Sequence, residues 1–365
     1  MTTKATAAVI HQPDKPFTFE TVELDRLRRD EILVRIEASG VCHTDMIAQH
    51  ITPLPAIFGH EGAGVVEAVG TGTGRIKPGD RVIISYPFCG ICPNCVEGRA
   101  NICDHSFHLS FGGTRLDRSK TISLNGREIS GAFFQQSSFS THSITLERDV
   151  VPVMGDHPSQ MLAAIPCGVI TGAGAILNTF KVGPRDGLAV FGAGAVGLSA
   201  VMAGHLSGAS PLIAVDIIDD RLELARELGA THTLNANGGE IAEQIREIAP
   251  RGLEFSMETS SGLQAFRDAL DCLGMGGVCG IVTTPNSGGE FDFTPHPLLS
   301  KAASLRGIIL GSAMPNTFLP KIIEMNRQGR FPYDRLIRTY KFADINQAFE
   351  DSKAGRTIKP VLIMS

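Results

Sequence analysis

The fold is decided by residues 188–216, which read LAVFGAGAVGLSAVMAGHLSGASPLIAVD. An apolar run leads into the spacing G-x-G-x-x-G at Gly192, Gly194 and Gly197, and a small-residue stretch then leads to a second apolar run. Gly192 permits a tight strand-to-helix turn, Gly194 lets the backbone approach a pyrophosphate, and Gly197 lets helix and strand pack closely. Asp216 ends the second run, where a carboxylate can accept both ribose hydroxyls of NAD. The stretch therefore predicts a binding site for NAD.

Two uncharged segments raise the alternative of a membrane protein. Residues 161–180 and 187–215 contain no Asp, Glu, Lys or Arg, and either is long enough to cross a bilayer. Both are interrupted by glycines and by Pro166 or Pro211, and neither is flanked by a basic cluster. Uncharged runs are expected in a sheet that is covered by helices on both faces. We therefore predict buried core segments and no membrane partner.

Composition restricts the class of protein further. The chain has 365 residues, of which 43% are hydrophobic and 19% charged, as expected for a globular protein with two domains. The net charge is −5 and there is no basic run, so nucleic acid is not an expected partner. The first residues contain no apolar signal core, so we expect a cytoplasmic protein.

The alternation of segments along the chain predicts an α/β fold. Beyond Asp216, helical patterns and short apolar runs alternate as far as residue 310, which is typical of a doubly wound, six-stranded parallel Rossmann sheet. Residues 1–169 and 311–365 contain short, irregular runs that predict a β domain. The cofactor domain, residues 170–310, would thus be inserted into a catalytic domain, and we expect substrate and nicotinamide to meet in the cleft between them.

Four of the eight cysteines are clustered, which suggests a metal site rather than disulfides. They have the spacing C-x₂-C-x₂-C-x₇-C within residues 89–103 and are Cys89, Cys92, Cys95 and Cys103. Four thiolates this close can surround tetrahedral zinc completely, which predicts a structural site. An iron–sulfur cluster is the competing interpretation, but the fourth spacing is longer than in ferredoxins and no proline follows Cys103.

Four motifs together resemble the zinc-dependent medium-chain alcohol dehydrogenases, whose catalytic domain is GroES-like. They are the segment CHTD at 42–45, the segment GHEG at 59–62, the four-cysteine lobe and the glycine motif. The resemblance implies a second, catalytic zinc held by Cys42, His60 and Cys167 with the fourth position open. It also implies that Glu61 lies near this zinc and that Asp45 orients the ring of His60.

The same resemblance implies the remaining site residues. Thr44 matches the hydroxyl that takes the alcohol proton and passes it to the cofactor ribose, and His43 matches a position that contacts the pyrophosphate. Three further residues are implied to bind the cofactor: Thr171 at the nicotinamide, Arg221 at the adenosine ribose, and Lys359 at a phosphate. One family feature is missing, because Ile47 occupies the position where many members carry a histidine base. The terminal proton acceptor therefore stays open, with water or His43 as the alternatives.

The substrate is predicted from residues 133–142 and 171–175, which look like the aryl-alcohol branch of the family. We expect oxidation of benzyl-type primary alcohols to aldehydes with NAD, with allylic terpenoid alcohols such as geraniol as the alternative. A non-catalytic, zinc-stabilised NAD-binding protein is the alternative from another class. The only expected partners are the small-molecule alcohol or aldehyde and further copies of the chain in a homodimer or homotetramer.

Overall fold

The computed structural model describes residues 3–284 and 294–364. The chain forms two compact units. Unit 1 contains the described residues of Met1–Cys167, Met314–Lys321 and Asp334–Ser365, and unit 2 those of Gly168–Ala313 and Ile322–Tyr333. The observed and predicted divisions differ chiefly in residues 322–333. These residues belong to unit 2, whereas the sequence predicts that they belong to the catalytic domain.

The strands are β1 (Thr3–Ile10), β2 (Thr18–Leu24), β3 (Glu31–Gly40), β4 (Ala56–Ile57), β5 (Gly62–Val69), β6 (Arg81–Ile84), β7 (Ile122–Leu124), β8 (Arg127–Ile129), β9 (His142–Leu146), β10 (Val150–Pro152), β11 (Leu188–Phe191), β12 (Leu212–Asp216), β13 (His232–Asn235), β14 (Leu253–Glu258), β15 (Leu273–Ile281), β16 (Ser304–Gly307), β17 (Ile337–Lys341) and β18 (Lys359–Ile363). The helices are α1 (His43–Ile47), α2 (Pro93–Val96), α3 (Ser106–Phe111), α4 (Ser159–Ala163), α5 (Ile170–Gly174), α6 (Ala195–Ser207), α7 (Asp219–Glu227), α8 (Ile241–Ile248), α9 (Leu263–Asp271), α10 (His296–Lys301), α11 (Pro315–Arg327) and α12 (Ile345–Lys353).

Unit 2 is built on a six-stranded parallel sheet with the order β13-β12-β11-β14-β15-β16. Strands β11 and β12 are buried along their whole length, which explains why their sequences carry no charge before Asp216. Cys272 and Cys279, which belong to neither metal site, lie in the hydrophobic core of this unit. The doubly wound α/β fold is confirmed, and its last strand, β16, ends at Gly307, three residues before the predicted end of the cofactor domain.

Unit 1 contains two sheets that are largely antiparallel. A five-stranded sheet has the order β4-β1-β2-β7-β8, and a seven-stranded sheet has the order β10-β6-β5-β3-β18-β17, with β9 also paired to β3. The second sheet carries a core of branched aliphatic side chains such as Ile32, Val34 and Val82. Because β18 comes from the end of the chain and pairs with β3, it brings Lys359 back to the residues that follow Gly40.

The chain is helical but irregular where it passes from unit 1 into unit 2 at Gly168. It runs from α4 through a π-helical turn, Ile165–Val169, to α5 and a second π-helical turn, Ala175–Phe180. π-Turns inside helices frequently occur at functional sites, and the first of them contains Cys167. None of the helices within residues 3–284 and 294–364 has the length and apolarity that a membrane crossing needs.

Candidate active site

The first metal cluster is a tight group of thiols in the lobe after β6. Its four sulfur atoms lie within 4.8 Å of one another and belong to Cys89, Cys92, Cys95 and Cys103. The Sγ–Sγ distances are 3.9 Å for Cys89 and Cys95 and 4.0 Å for Cys92 and Cys103. A zinc tetrahedron with Zn–S bonds of about 2.3 Å has edges of about 3.8 Å. Five backbone N–H groups also donate to these sulfurs at 3.3 to 3.5 Å, which favours the thiolate form that zinc requires.

The second cluster gathers side chains from three separate parts of unit 1. One potential ligand atom from each of four residues lies within 4.8 Å of the others, and the residues are Cys42, His60, Glu61 and Cys167. The sulfurs of Cys42 and Cys167 are 3.9 Å apart, again close to a tetrahedral edge. The Nε2 atom of His60 is buried and, in the described part of the chain, has no hydrogen-bond partner. A buried imidazole nitrogen directed at two thiols fits a metal that would be its partner.

Asp45 fixes the geometry of this cluster. Its carboxylate is fully buried and accepts hydrogen bonds from the Cys42 backbone N–H at 3.0 Å and the Gly59 backbone N–H at 3.1 Å. Nδ1 of His60 lies 2.8 Å from the same carboxylate. A proton held on Nδ1 leaves the lone pair on Nε2, which is the form that binds a metal.

Glu61 and Lys359 form a buried ion pair beside this cluster. The ammonium of Lys359 donates to Oε2 of Glu61 and lies 3.4 Å from the carbonyl oxygen of Val41. Burial raises the pKa of Glu61 to about 7, and the charge of Lys359 opposes that rise. Sequence reasoning missed this pair, since it implied only a phosphate contact for Lys359. That phosphate contact stays a prediction, because the lysine has partners within unit 1 and is 2% exposed.

The two residues after Cys42 differ in their surroundings. The hydroxyl of Thr44 lies 3.7 Å from the sulfur of Cys42 and is half-buried, so it borders the cluster. His43 is exposed at the start of α1, where a ring can reach a ligand in solvent. Ile47, at the end of the same helix, is 40% exposed and supplies no ionisable group.

The glycine motif in unit 2 has the conformation that its spacing predicts. Gly192 has φ of +96°, which is strained for any residue with a Cβ. A Cβ on Gly197 would lie 1.7 Å from the carbonyl oxygen of Gly192, so helix α6 could not approach β11 with any larger residue. A Cβ on Gly194 would meet no protein atom within 4 Å, leaving its surface open to a ligand at the start of a 13-residue helix.

Asp216 ties the end of β12 to this turn. Its Oδ2 accepts the Ala193 N–H at 2.6 Å, and its Oδ1 accepts the N–H groups of Ile217 and Ile218 at 2.8 and 2.9 Å. The carboxylate thus braces the glycine turn in addition to its predicted contact with the ribose. Arg221 follows in the first turn of α7.

Thr171 lies in α5 of unit 2 and is buried, with 8% of its surface exposed. The helix is held by close packing, since a Cβ on Gly172 would lie 2.0 Å from the carbonyl oxygen of Val196 in α6. The glycine next to Thr171 is therefore required by this contact between two helices.

The predicted phenylalanine segment divides into two environments. The ring of Phe134 lies against the imidazole of His60, with centroids 4.6 Å apart and planes tilted by 31°. Phe133 contacts the same imidazole edge-on at 5.7 Å. Phe139 instead packs in the core against Phe17 and Phe349, so it does not belong to the metal site.

Comparison with known proteins decides the family. Residues 28–155 match the protein family described as "Alcohol dehydrogenase GroES-like domain", and residues 195–325 match the family described as "Zinc-binding dehydrogenase". A geraniol dehydrogenase from Castellaniella defragrans is 39% identical over 98% of this chain and 97% of the relative. The chain belongs to the zinc-dependent medium-chain alcohol dehydrogenases.

Two solved structures are similar to this chain over the full length of both chains. An alcohol dehydrogenase zinc-binding domain protein from Burkholderia ambifaria has a TM-score of 0.96 and 40% identity, with 100% of each chain covered. A benzyl alcohol dehydrogenase from Acinetobacter calcoaceticus has a TM-score of 0.95 and 37% identity, also with 100% of each chain covered. The fold class predicted from the sequence is thereby confirmed.

The cofactors of this alcohol dehydrogenase are zinc and NAD, as the sequence predicts. The donor sets fit zinc, because thiolate and imidazole are the ligands that zinc prefers in proteins. The four-thiol cluster supplies all four ligands of a tetrahedral zinc ion. The second cluster offers two thiols, one imidazole and Glu61. Oε2 of Glu61 is paired with Lys359, and its Oε1 has no hydrogen-bond partner among the described residues. Zinc held by Cys42, His60 and Cys167 would therefore keep a fourth position for Glu61 or another ligand.

The two clusters predict opposite consequences for cysteine substitution. Cys95→Ser should lose the structural zinc and lower the Tm strongly, because structural zinc binding in small peptides is worth about 10–16 kcal/mol and is coupled to folding. Cys42→Ser should keep the fold and NAD binding but lose one zinc and turnover. Cys279→Ala, in the core of unit 2, is the matched control and should keep both zincs. Near-normal turnover by Cys42→Ser would show that the catalytic assignment is wrong.

The glycine motif predicts that one substitution lowers stability and that a nearby one lowers NAD affinity. Gly197→Ala should destabilise unit 2, since its Cβ would overlap the Gly192 carbonyl. Gly194→Ala should fold with an unchanged Tm, because its Cβ meets no protein atom, yet bind NAD more weakly by filling the space for the pyrophosphate. Calorimetric Tm and NAD titration separate these results. Native NAD affinity in Gly194→Ala would contradict the proposed pyrophosphate position.

Proposed function

We propose that this alcohol dehydrogenase oxidises primary alcohols whose carbinol carbon adjoins a π system, with benzyl-type alcohols preferred, and transfers the hydride reversibly to NAD. The proposal rests on one observation: a group of aromatic rings contacts the imidazole of His60. Similarity to the benzyl alcohol dehydrogenase from Acinetobacter calcoaceticus supports the same substrate class.

The aromatic surface consists of three rings that contact one another. Phe111 is half-buried and meets Phe133 and Phe134 at centroid distances of 6.0 and 5.6 Å. Phe134 in turn covers the imidazole of His60. Phe133 is fully buried and Phe134 is 9% exposed, so a flat, apolar substrate would pack against Phe111 and the exposed edge of Phe134. Such substrates suit these rings because aromatic rings pack edge-on or offset against one another.

Geraniol-type alcohols are the second candidate, and a specific observation favours them. The curated relative with 39% identity is a geraniol dehydrogenase. Allylic and benzylic alcohols share the chemistry that matters here, because both give conjugated aldehydes and both present an apolar body. A panel containing both substrates is therefore needed to choose between them.

The reaction needs a Lewis acid and a hydride acceptor, and zinc and NAD supply these when bound. The chain's own residues orient the substrate and manage its proton. Thr44, beside the Cys42 sulfur, can accept the alcohol proton through its hydroxyl. Phe133 and Phe134 limit the access of water to His60. Lys359 pairs with Oε2 of the Glu61 carboxylate, and Oε1 has no hydrogen-bond partner among the described residues.

The non-catalytic alternative has little support from the site. A scaffold that only uses zinc for stability would need the four-thiol cluster and not the second one. Here Cys42, His60 and Cys167 remain together, and Asp45 still orients the imidazole. The retention of this second donor set supports an enzyme.

Substrate preference is the first prediction. Benzyl alcohol should exceed ethanol by roughly a thousand-fold in kcat/KM, because burial of each CH₂ contributes about 0.8 kcal/mol and benzyl alcohol has five more carbons. Phe134→Ala should reduce this ratio, while Phe139→Leu, which removes a core ring packed against Phe17 and Phe349 and not against the imidazole of His60, should preserve it. NADH absorbance measures each rate. Equal efficiency on ethanol and benzyl alcohol would contradict the proposed pocket.

The second prediction separates the proton path from cofactor binding. Thr44→Ala should lower kcat by about a hundred-fold or more, the usual range for loss of a positioned proton acceptor, whereas Thr44→Ser keeps the hydroxyl and should retain activity. His43→Gln should mainly raise the Kd for NAD. A His43→Gln enzyme with native NAD affinity and a collapsed pH–rate profile would instead make His43 the base.

The third prediction is a preference for NAD over NADP. The Asp216 carboxylate should repel the 2′-phosphate of NADP, and close like charges cost several kcal/mol. We expect kcat/KM to favour NAD by about a hundred-fold, and Asp216→Asn to narrow the ratio. Equal values for both cofactors in the native enzyme would refute the assignment of Asp216.

A further inference from the structure

The side-chain amide of Gln136 joins two backbone segments of the active site. The amide is fully buried, and its Oε1 accepts the N–H of Gly62 at 2.9 Å. Its Nε2 donates to the carbonyl oxygens of His60 at 2.9 Å and Ser85 at 3.3 Å. One side chain therefore satisfies polar groups on both sides of Glu61 and at the end of β6. The sequence predicts a role for the segment 133–142 but none for Gln136 itself.

The backbone around Gln136 is held in an unusual conformation. Phe134, Gln135 and Ser137 have φ values of +48°, +52° and +49°, which are uncommon for residues with a Cβ. Such conformations persist only where the surroundings fix them, and they concentrate at functional sites. Here the fixing contacts include the Ser138 N–H, which donates to the Gly59 carbonyl at 2.9 Å, and the Ser143 hydroxyl, which donates to the Gln136 carbonyl.

The same segment reaches His60 in a second way. The ring of Phe134 lies against the imidazole, while the amide of Gln136 holds the backbone of the same histidine. There is little room for an alternative arrangement, since a Cβ on Gly62 would lie 2.8 Å from the Cβ of Ser138 and 3.1 Å from Oε1 of Gln136. Displacement of Gln136 would therefore free the backbone on both sides of Glu61, including that of His60, the proposed zinc ligand.

We propose that Gln136 is a positioning residue for the catalytic zinc: it fixes the backbone of residues 60–62 so that Nε2 of His60 stays directed at the two thiols. The role complements that of Asp45, which fixes the ring through Nδ1. The proposal rests on the assignment of Cys42, His60 and Cys167 as ligands of this zinc.

The chain provides a matched control in the preceding residue. Gln135 is also a buried glutamine, 5% exposed, and also has a positive φ. Its Nε2 donates to the carbonyl oxygens of Leu109 at 3.2 Å, Thr114 at 2.7 Å and Ala132 at 3.4 Å. It thus makes a similar number of buried hydrogen bonds, but none of these partners is a proposed zinc ligand.

The test compares Gln136→Met with Gln135→Met in the full-length zinc-loaded protein. Zinc release to a chelator should become about 10–100-fold faster for one of the two zincs in Gln136→Met, the range found when residues that support metal ligands are replaced. Gln135→Met should lower the Tm to a similar extent and release the zinc of the Cys42–His60–Cys167 site at the native rate; its effect, if any, should fall on the four-thiol site, because Leu109 packs against Cys89, Cys92 and Cys103. After cobalt substitution, the visible absorption bands of the catalytic site should shift only in Gln136→Met.

Gln136→Glu provides a second variant of the same size if Gln136→Met does not fold. Its carboxylate keeps the acceptor for Gly62 but has no donor for the two carbonyl oxygens, so faster release of one zinc is still expected. Native zinc release from this variant, or equal release from Gln136→Met and Gln135→Met, would overturn the positioning role. If Cys42→Ser still holds two zincs, the ligand assignment itself is wrong and both proposals fail.

Discussion

The carboxylate of Asp45 is the contact on which the active site depends. It accepts the backbone N–H groups of Cys42 and Gly59 and lies 2.8 Å from Nδ1 of His60. These hydrogen bonds connect the start of α1 to the turn before β5, in addition to the pairing of β3 with β5. A fully buried carboxylate is tolerated because it accepts several hydrogen bonds, each stronger for being to a charged group. Cys167, from the π-helical turn, completes the proposed set of zinc ligands, whose other two members, Cys42 and His60, Asp45 already fixes.

Charge balance explains why this cluster can be buried. Two thiolates would neutralise a divalent zinc ion, and the carboxylate of Glu61 is neutralised by the ammonium of Lys359. Removal of either partner of that pair would leave an uncompensated charge in the interior, which is strongly unfavourable. The four-thiol lobe follows a different principle, because backbone N–H groups surround its sulfurs and no separate cation is needed.

Local patterns allowed much of this molecule to be predicted from the sequence. The glycine spacing determined the turn at Gly192, and the short cysteine spacing determined the lobe, because both are formed by residues close together in the chain. Contacts between distant segments were not predictable in the same way. The pairing of Glu61 with Lys359 depends on β18 joining β3, and the role of Gln136 depends on three left-handed residues that no propensity favours. Phe134 and Phe139 look alike in sequence, yet only tertiary packing decides which one meets His60.

Zinc content measured together with activity tests the central claim most directly. Purified protein should contain about two zinc ions per chain, and a chelator should remove one of them from the half-enclosed Cys42–His60–Cys167 site faster than the other from the closed four-thiol lobe. Oxidation of benzyl alcohol should fall in proportion to loss of the first zinc while the Tm of the protein changes little. A protein with one zinc per chain, or one that keeps its activity after the first zinc is removed, would contradict a catalytic zinc at this site.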